Sequence, residues 1–167
     1  MPVTIRRLTS EDAEASVALR QEMLLDSPSA FSASPEDDLG SRVEVVRERL
    51  SSGPGNFQLG AFAPELVGSV GMFREPKLKT QHRLYVWGMY VTPASRGQGL
   101  GKALLQAAIA HGRQLEGVTQ IHLGVNEVAV GARALYESVG FNLWGTEPRA
   151  ILVDGRYYAE HHLALDL

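Results

Sequence analysis

The chain contains no cysteine among its 167 residues. Disulfides, thiol nucleophiles and cysteine-ligated zinc are therefore excluded. It has no apolar run of membrane-spanning length. Its opening stretch, "MPVTIRRLTSEDAEA", places no apolar segment behind the arginines and does not read as a secretory signal. An excess of positive charge is also missing: Lys and Arg number 16 against 19 Asp and Glu, a net charge of -3. That balance argues against a partner gripped through its phosphates, such as nucleic acid. The expectation is a cytoplasmic protein that engages neither nucleic acid nor membrane. The hydrophobic share is 44% and the charged share 21%, enough for a true core and too little charge for disorder. The length fits a single domain over 1–167.

Hydrophobic periodicity divides the chain into alternating elements. "VTIRRL" (3–8) reads as a strand, and "TSED" offers Thr9 as an N-cap with Asp12 three residues on. The helix behind it carries Ala13, Val17, Leu24 and Leu25 on its apolar face. Residues 26–40 form a loop with two prolines and the acidic run Glu36-Asp37-Asp38. Val43, Val46 and Leu50 mark a second helix, which "GPG" at 53–55 ends. Strands follow at 56–63, 66–74 and 83–91, the first two around Pro64-Glu65. A third helix places Leu100, Ala103, Leu104, Ala107 and Ala108 on one face, at i, i+3, i+4, i+7 and i+8 spacing. A strand at 119–125 and a helix at 130–140 come next. The last segment, from Ala150, is two strands around Asp154-Gly155, a hairpin signal. The order β-α-α-β-β-β-α-β-α-β-β predicts an α+β fold. Its mixed, largely antiparallel sheet would hold roughly six to seven strands, with about four helices packed on it.

The stretch "YVTPASRGQGLGKALLQAA" (90–108) sets glycines at 97, 99 and 101, where a strand hands over to a helix. Glycine costs backbone entropy there and weakens the helix start. The first amides of a helix lack partners, and the aligned peptide dipoles add positive character. Bare glycines let an anion approach those amides, and Arg96 adds a cation, a combination suited to phosphate groups. A structural reading competes: a tight turn that packs a helix closely on a strand. Two familiar phosphate motifs fail. Gly101-Lys102 is followed by Ala103, and residue 96 is Arg, so this is no Walker loop. Lys102 stands where a dinucleotide fingerprint needs its third glycine.

The run Arg96-Gly97-Gln98-Gly99-Leu100-Gly101 instead resembles the [Gln/Arg]-x-x-Gly-x-[Gly/Ala] motif of the GCN5-related N-acetyltransferase (GNAT) family. Downstream, Ala132, Leu135, Tyr136, Gly140 and Phe141 match that family's "AxxLYxxxGF", and the element order fits it along the whole chain. The resemblance implies the GNAT-like acyl-CoA N-acyltransferase fold and binding of acetyl-CoA between the strand before the glycines and the strand before the last helix. The main chain of Met89, Tyr90 and Val91 would pair with the pantetheine arm like an added strand. Arg96 and the amides of Gly97, Gln98, Gly99, Leu100, Gly101 and Lys102 would take the pyrophosphate. Tyr136 would serve as general acid toward the departing thiolate; packing is its alternative role. Where many relatives carry Asn, this chain has Ala129, and Asn126 stands in as a candidate contact to the cofactor.

The implied reaction removes a proton from an amine. The strand "RLYVWGMYV" has no acid. Candidate bases are His82, His122, Glu127 and Glu75, with His82 the working choice and ordered water the alternative. The acceptor site implied by the resemblance lies among the 26–40 loop, the 75–82 connection and the C-terminal hairpin. Those segments bring Phe31, Glu36, Asp37, Asp38, Tyr157, Tyr158 and Glu160, with Trp87 beside them. Acids and aromatics together suit a cation, and the expectation is a compact primary amine carrying a positive charge or a polar tail. No metal is expected, since His161 and His162 are adjacent on a strand and point to opposite faces. Partners are acetyl-CoA and an amine, with self-association left open. The enzyme reading moves acetyl to an amine of a small molecule, a protein N-terminus or a lysine. The alternative is a non-catalytic acyl-CoA-binding sensor module.

Overall fold

Seven strands form one sheet whose left and right halves are covered differently, and the functional groove lies where the halves meet. The structure, a computed structural model, describes residues 2–167. Its strands are β1 (Thr4–Arg7), β2 (Phe57–Phe62), β3 (Leu66–Arg74), β4 (Arg83–Val91), β5 (Gln120–Asn126), β6 (Asn142–Val153) and β7 (Arg156–Asp166). The helices are α1 (Ala13–Asp26), α2 (Val43–Leu50), α3 (Leu100–Arg113) and α4 (Val130–Ser138). The spatial order is β1-β2-β3-β4-β5-β7-β6. Every neighbouring pair is antiparallel except β4 with β5, which is parallel. The element order and the mixed α+β architecture agree with the periodicity of the sequence.

Strand alternation sends side chains to two cores. Leu59 (β2), Val70 (β3), Leu84 (β4), Ile121 (β5) and Leu163 (β7) form one core with Leu104 and Leu105 of α3, all fully buried. Burying each of these aliphatic side chains contributes about 1.5–3 kcal/mol. On the other face, α1 and α2 cover β1 to β4 through Leu8, Val17, Val46 and Leu50, and through Leu19, Met23 and Leu24 around Tyr90. The Thr9–Asp12 capping pair is formed, with the Thr9 amide donating to Asp12 Oδ2 at 2.8 Å. Arg6 then grips the same carboxylate through both terminal nitrogens.

Two local expectations are corrected. Leu25 is 72% exposed. Successive helical residues turn by about 100°, so with Leu24 buried Leu25 swings toward solvent. Strand β6 begins at Asn142, eight residues before Ala150. The hydrophobic pattern there is masked by two register breaks, between Leu143 and Gly145 and between Glu147 and Ile151. Pro148 cannot donate to the ladder, and Arg149 takes a positive φ of 55°. The hairpin turn at Asp154 and Gly155 has both residues at positive φ, 48° and 76°, as the two-residue turn requires.

Candidate active site

Strands β4 and β5 pair only from Arg83 to Tyr85, against Gln120 to His122. Beyond that they part. The cause lies in β4: between Ser69 and Gly71 of β3, the partner register jumps from Tyr90 to Trp87. Gly88, at φ 56°, and Met89 form the bulge. A bulge bends its strand and increases twist, and here it carries the end of β4 away from β5. The edge of Met89–Val91 that faces β5 therefore has no ladder partner.

The groove opened by this divergence has two joined parts. The outer part, about 620 Å³, runs over the start of α3 and touches Val91, Arg96, Gly97, Gly99, Gly101 and Lys102. The inner part, about 300 Å³, is bounded by Gly88, Val125, Asn126, Tyr136 and Glu160. Both share walls at Ala30, Phe31, Met89, Ala129 and Ala132.

Each glycine of the cradle has its own reason. Gly97 and Gly99 adopt φ of 75° and 78°, where other residues are strained. Nothing lies within 4 Å of a Cβ built at either, so the backbone angle and not crowding requires glycine. Gly101 is different: a Cβ there would meet Leu135 Cδ2 at 3.2 Å and Met89 Cε at 3.5 Å. Its bareness lets α3 approach α4 and the groove floor. No side chain caps the start of α3, and its first ladder bond is Ala103 N to Gly99 O. The preceding amides are left for a ligand. Lys102 is exposed beside them; Gln98 is exposed and outside the groove wall, so its side chain makes no part of the cradle.

Arg96 reaches the groove, but its guanidinium is already committed. It donates to Asp26 Oδ2 and, through Nε, to the Val91 carbonyl at 2.9 Å. Asp26 hydrogen-bonded in this way is held below the usual carboxylate range, and Arg96 is raised by the same bond. The pair ties the end of α1 to the loop before α3. Tyr90, whose ring lies under Arg96, turns its hydroxyl away to donate to Glu22 Oε1 at 3.0 Å. Burial, then Glu22, push that phenol well above its ordinary value. Only its main chain serves the groove.

Tyr136 lies at the inner end, 7% exposed, with Phe141 packed edge-on at 6.0 Å. Burial pushes its hydroxyl up to about 12, so it holds its proton at neutral pH. Asn126 is buried and doubly engaged: Nδ2 donates to the Ser29 carbonyl at 2.6 Å, and Oδ1 accepts from Val128 N at 3.0 Å. Its evident work is to pin the 27–33 loop, with Phe31, over the groove.

The candidate bases are not brought there. His82 precedes β4 at the end opposite the bulge, about 20 Å along the strand at 3.3 Å per residue. His122 packs against Tyr85 and, edge-on, against Trp144, and lines a pocket apart from the groove. Glu127 accepts from Ala159 N at 2.9 Å, and Glu75 follows β3 at the far end of the sheet. The carboxylate that does line the inner groove is Glu160 of β7, and among the described residues it is the only acid there. It stands opposite Asn126 in the β5–β7 ladder. Gly124 makes room for it, since a Cβ at Gly124 would run into the carboxylate. The sequence offered Glu160 only as a wall residue; strand register across the β5–β7 pair is what aims it inward.

The acceptor wall also differs from expectation. Asp38 is not free to attract a cation: Arg20 Nε and Nη2 donate to its two oxygens at 2.9 and 3.0 Å. Burial works against that carboxyl's charge, but the Arg20 bonds prevail and hold it below its ordinary value. Asp37 accepts from the Ser34 amide at 2.8 Å. Tyr157 and Tyr158 lie under Arg149 and Arg156 near the hairpin tip, and the 75–82 connection lines neither part of the groove. Phe31, Trp87 and Glu160 remain. His161 and His162 do face opposite ways, but His162 gathers with Glu147 and Glu160, their ligand-type atoms within 4.8 Å of one another. No helix among the described residues is long and apolar enough to cross a membrane.

Comparison with known proteins agrees with this fold. The family model described as Acetyltransferase (GNAT) family matches residues 17–141, and the chain belongs to that family. It is 34% identical to a mycothiol acetyltransferase of Thermobispora bispora, over 86% of this chain and 48% of that protein. The chain thus spans about half the length of the curated relatives it matches first. A GCN5-related N-acetyltransferase from Kribbella flavida superposes with a TM-score of 0.82 at 27% identity, covering 99% of this chain and 98% of the other. The fold is shared with yncA of Salmonella typhimurium, described with its cofactor acetyl-CoA. There the TM-score is 0.86 at 21% identity, with 100% and 95% of the chains covered.

Proposed function

We propose that the chain moves the acetyl group of acetyl-CoA to a primary amine by direct attack in a ternary complex. The amine would belong to a small molecule, a protein N-terminus or a lysine. The observation that carries this reading is one continuous groove. It joins the uncapped start of α3 to a protonated tyrosine and a carboxylate at its inner end. The groove fits acetyl-CoA on its own chemistry. Free amides and Lys102 suit the pyrophosphate, and the unpaired β4 edge suits an amide-bearing arm. Fold kinship with a protein described with acetyl-CoA supports the same ligand.

Acetyl-CoA supplies the thioester-activated acetyl group. The chain's own residues handle position and protons. Amides at 97–102 orient the phosphate end, and Phe31, on the loop that Asn126 holds through the Ser29 carbonyl, lines the groove. Glu160 accepts the amine proton as nitrogen bonds to the acetyl carbon. Tyr136 gives its proton to the sulfur as the carbon–sulfur bond breaks. Each such transfer contributes about 10²–10⁴ in rate. A thiol-release assay with acetyl-CoA and a panel of primary amines tests the reading: amine-dependent release is expected. Tight acetyl-CoA binding with no release across the panel would make the domain a binding module instead.

A further inference from the structure

A second cavity, about 570 Å³, lies between the end of α2 and strands β2 to β4, and Arg20 and Trp87 form walls common to it and to the inner groove. Its lining is largely apolar, through Leu50, Phe57, Met72, Phe73, Tyr85 and Trp87. Gly71 creates the floor. A Cβ there would overlap the Trp87 indole, so the ring lies flat across β3. Arg49 stacks on that indole with its guanidinium carbon 4.7 Å from the ring centre.

The polar groups of this cavity are unfinished. Arg49 Nε is buried without a hydrogen-bond partner, and so is Oε1 of Gln58, a residue 6% exposed. Buried polar atoms in folded proteins are nearly always paired. Arg20 uses Nε and Nη2 for Asp38, which leaves Nη1. That nitrogen lies 3.5 Å from a Cβ built on Gly88, at the β4 bulge. Asp38 is thus bonded by Arg20, and among the described residues Arg49 has no ion-pair partner. Burial first, and then the neighbouring Arg20, depress Arg49, while Asp38 offsets this in part.

We infer that this cavity receives the part of the acceptor beyond its amine: an apolar side chain, with a carboxylate held by Arg49 and Arg20. The substrate class is an amino-acid-like or short peptide-like amine with a free acid group, not the cationic amine that the acidic 26–40 loop suggested. The inference rests on the acetyl-transfer reading above. The apolar walls take the side chain, Arg49 Nε and Arg20 Nη1 donate to the carboxylate, and Gln58 Oε1 accepts from an N–H of the same molecule. A charge-assisted hydrogen bond into a desolvated pocket discriminates strongly against a ligand that lacks its charge.

The test compares matched acceptors: leucine against leucinamide, and leucylglycine against leucylglycinamide, each with acetyl-CoA. The acid member of at least one pair is expected to show at least about tenfold higher kcat/KM, and R49Q and R49M to abolish that preference. R49M keeps an apolar stem over Trp87, and a melting curve for each variant separates misfolding from lost recognition. Equal or better turnover of both amides, or an acid preference that survives in both variants, overturns the inference and leaves acetyl transfer standing. Failure to acetylate any of the four while another amine of the panel is acetylated overturns the inference; failure across the whole panel, with acetyl-CoA still bound, overturns the transfer reading. In that case calorimetry with N-acetyl-leucylglycine judges the cavity alone. Binding that weakens at least about tenfold in R49M supports it, and no binding by the unaltered protein refutes it.

Discussion

Replacing Gly99 with valine tests the cradle at its most demanding position. Gly99 is the N-cap of α3 at φ 78°. A β-branched residue there is strained by about 1–3 kcal/mol. The space around the added Cβ is open, so no clash adds to this, and the lower half of the range is expected. For a chain of this length that lowers Tm by about 2–8 °C. Binding suffers separately. The new methyl groups stand beside the amides of the first turn and hold phosphate oxygens away from them. Acetyl-CoA affinity should fall at least about tenfold, or about 1.4 kcal/mol. Calorimetry with acetyl-CoA, run beside a melting curve, measures both effects. Gly53→Ala is the control: nothing lies within 4 Å of its Cβ and its φ is not positive, so neither quantity should move. If Gly99→Val loses stability but binds acetyl-CoA with unchanged affinity, the glycines shape a turn and the cradle is not the phosphate site.

Four further outcomes are expected. Tyr136→Phe should lower kcat by on the order of a hundredfold while KM for acetyl-CoA stays nearly constant; a fall below about threefold would leave Tyr136 as packing only. Because its hydroxyl titrates at about 12, the kcat–pH profile should show no loss of this acid below about pH 10, and an alkaline limb near neutrality that vanishes in the variant would contradict that. Asp38→Asn should destabilise the fold by about 1–2 kcal/mol, because it takes the charged partner from the half-buried Arg20 guanidinium, whereas Glu36→Gln should be silent; chemical denaturation compares them. Asp12 lies at about 2 in the folded chain, chiefly through its hydrogen bond from Arg6, against about 3.9 unfolded. Its folded value is the lower one, so its stabilisation is present above about pH 4 and fades as the pH drops toward 2. Asp12→Asn should therefore lower stability at pH 7 and flatten the acid limb of a stability–pH curve.

Local signals were legible and long-range ones were not. The strand-to-helix glycines, the Asp154-Gly155 turn and the α3 periodicity depend on neighbours within a few residues, and each appears in the structure where the sequence indicated. What Glu160 faces depends on its register opposite Asn126, which no window of sequence contains. The same holds for Arg20, Arg49, Gln58 and Trp87, drawn together from α1, α2, β2 and β4. Charge counting failed in the 26–40 loop for a related reason. Asp38 and Asp37 read as free acids until their partners, Arg20 and the Ser34 amide, are seen. His82 has suitable titration chemistry, but β4 carries it to the wrong end of the sheet.

Direct passage of acetyl to an amine in the groove between β4 and β5 is the step on which the proposed function depends. Rapid-quench measurement with isotopically labelled acetyl-CoA addresses it most directly, comparing the unaltered protein with the Tyr136→Phe, Glu160→Gln double variant. A labelled N-acetyl product should form only when amine is present, with no labelled protein in its absence. The double variant should still bind acetyl-CoA but transfer at least about a hundredfold more slowly. Label appearing on the protein without amine, or undiminished transfer by the double variant, would contradict it.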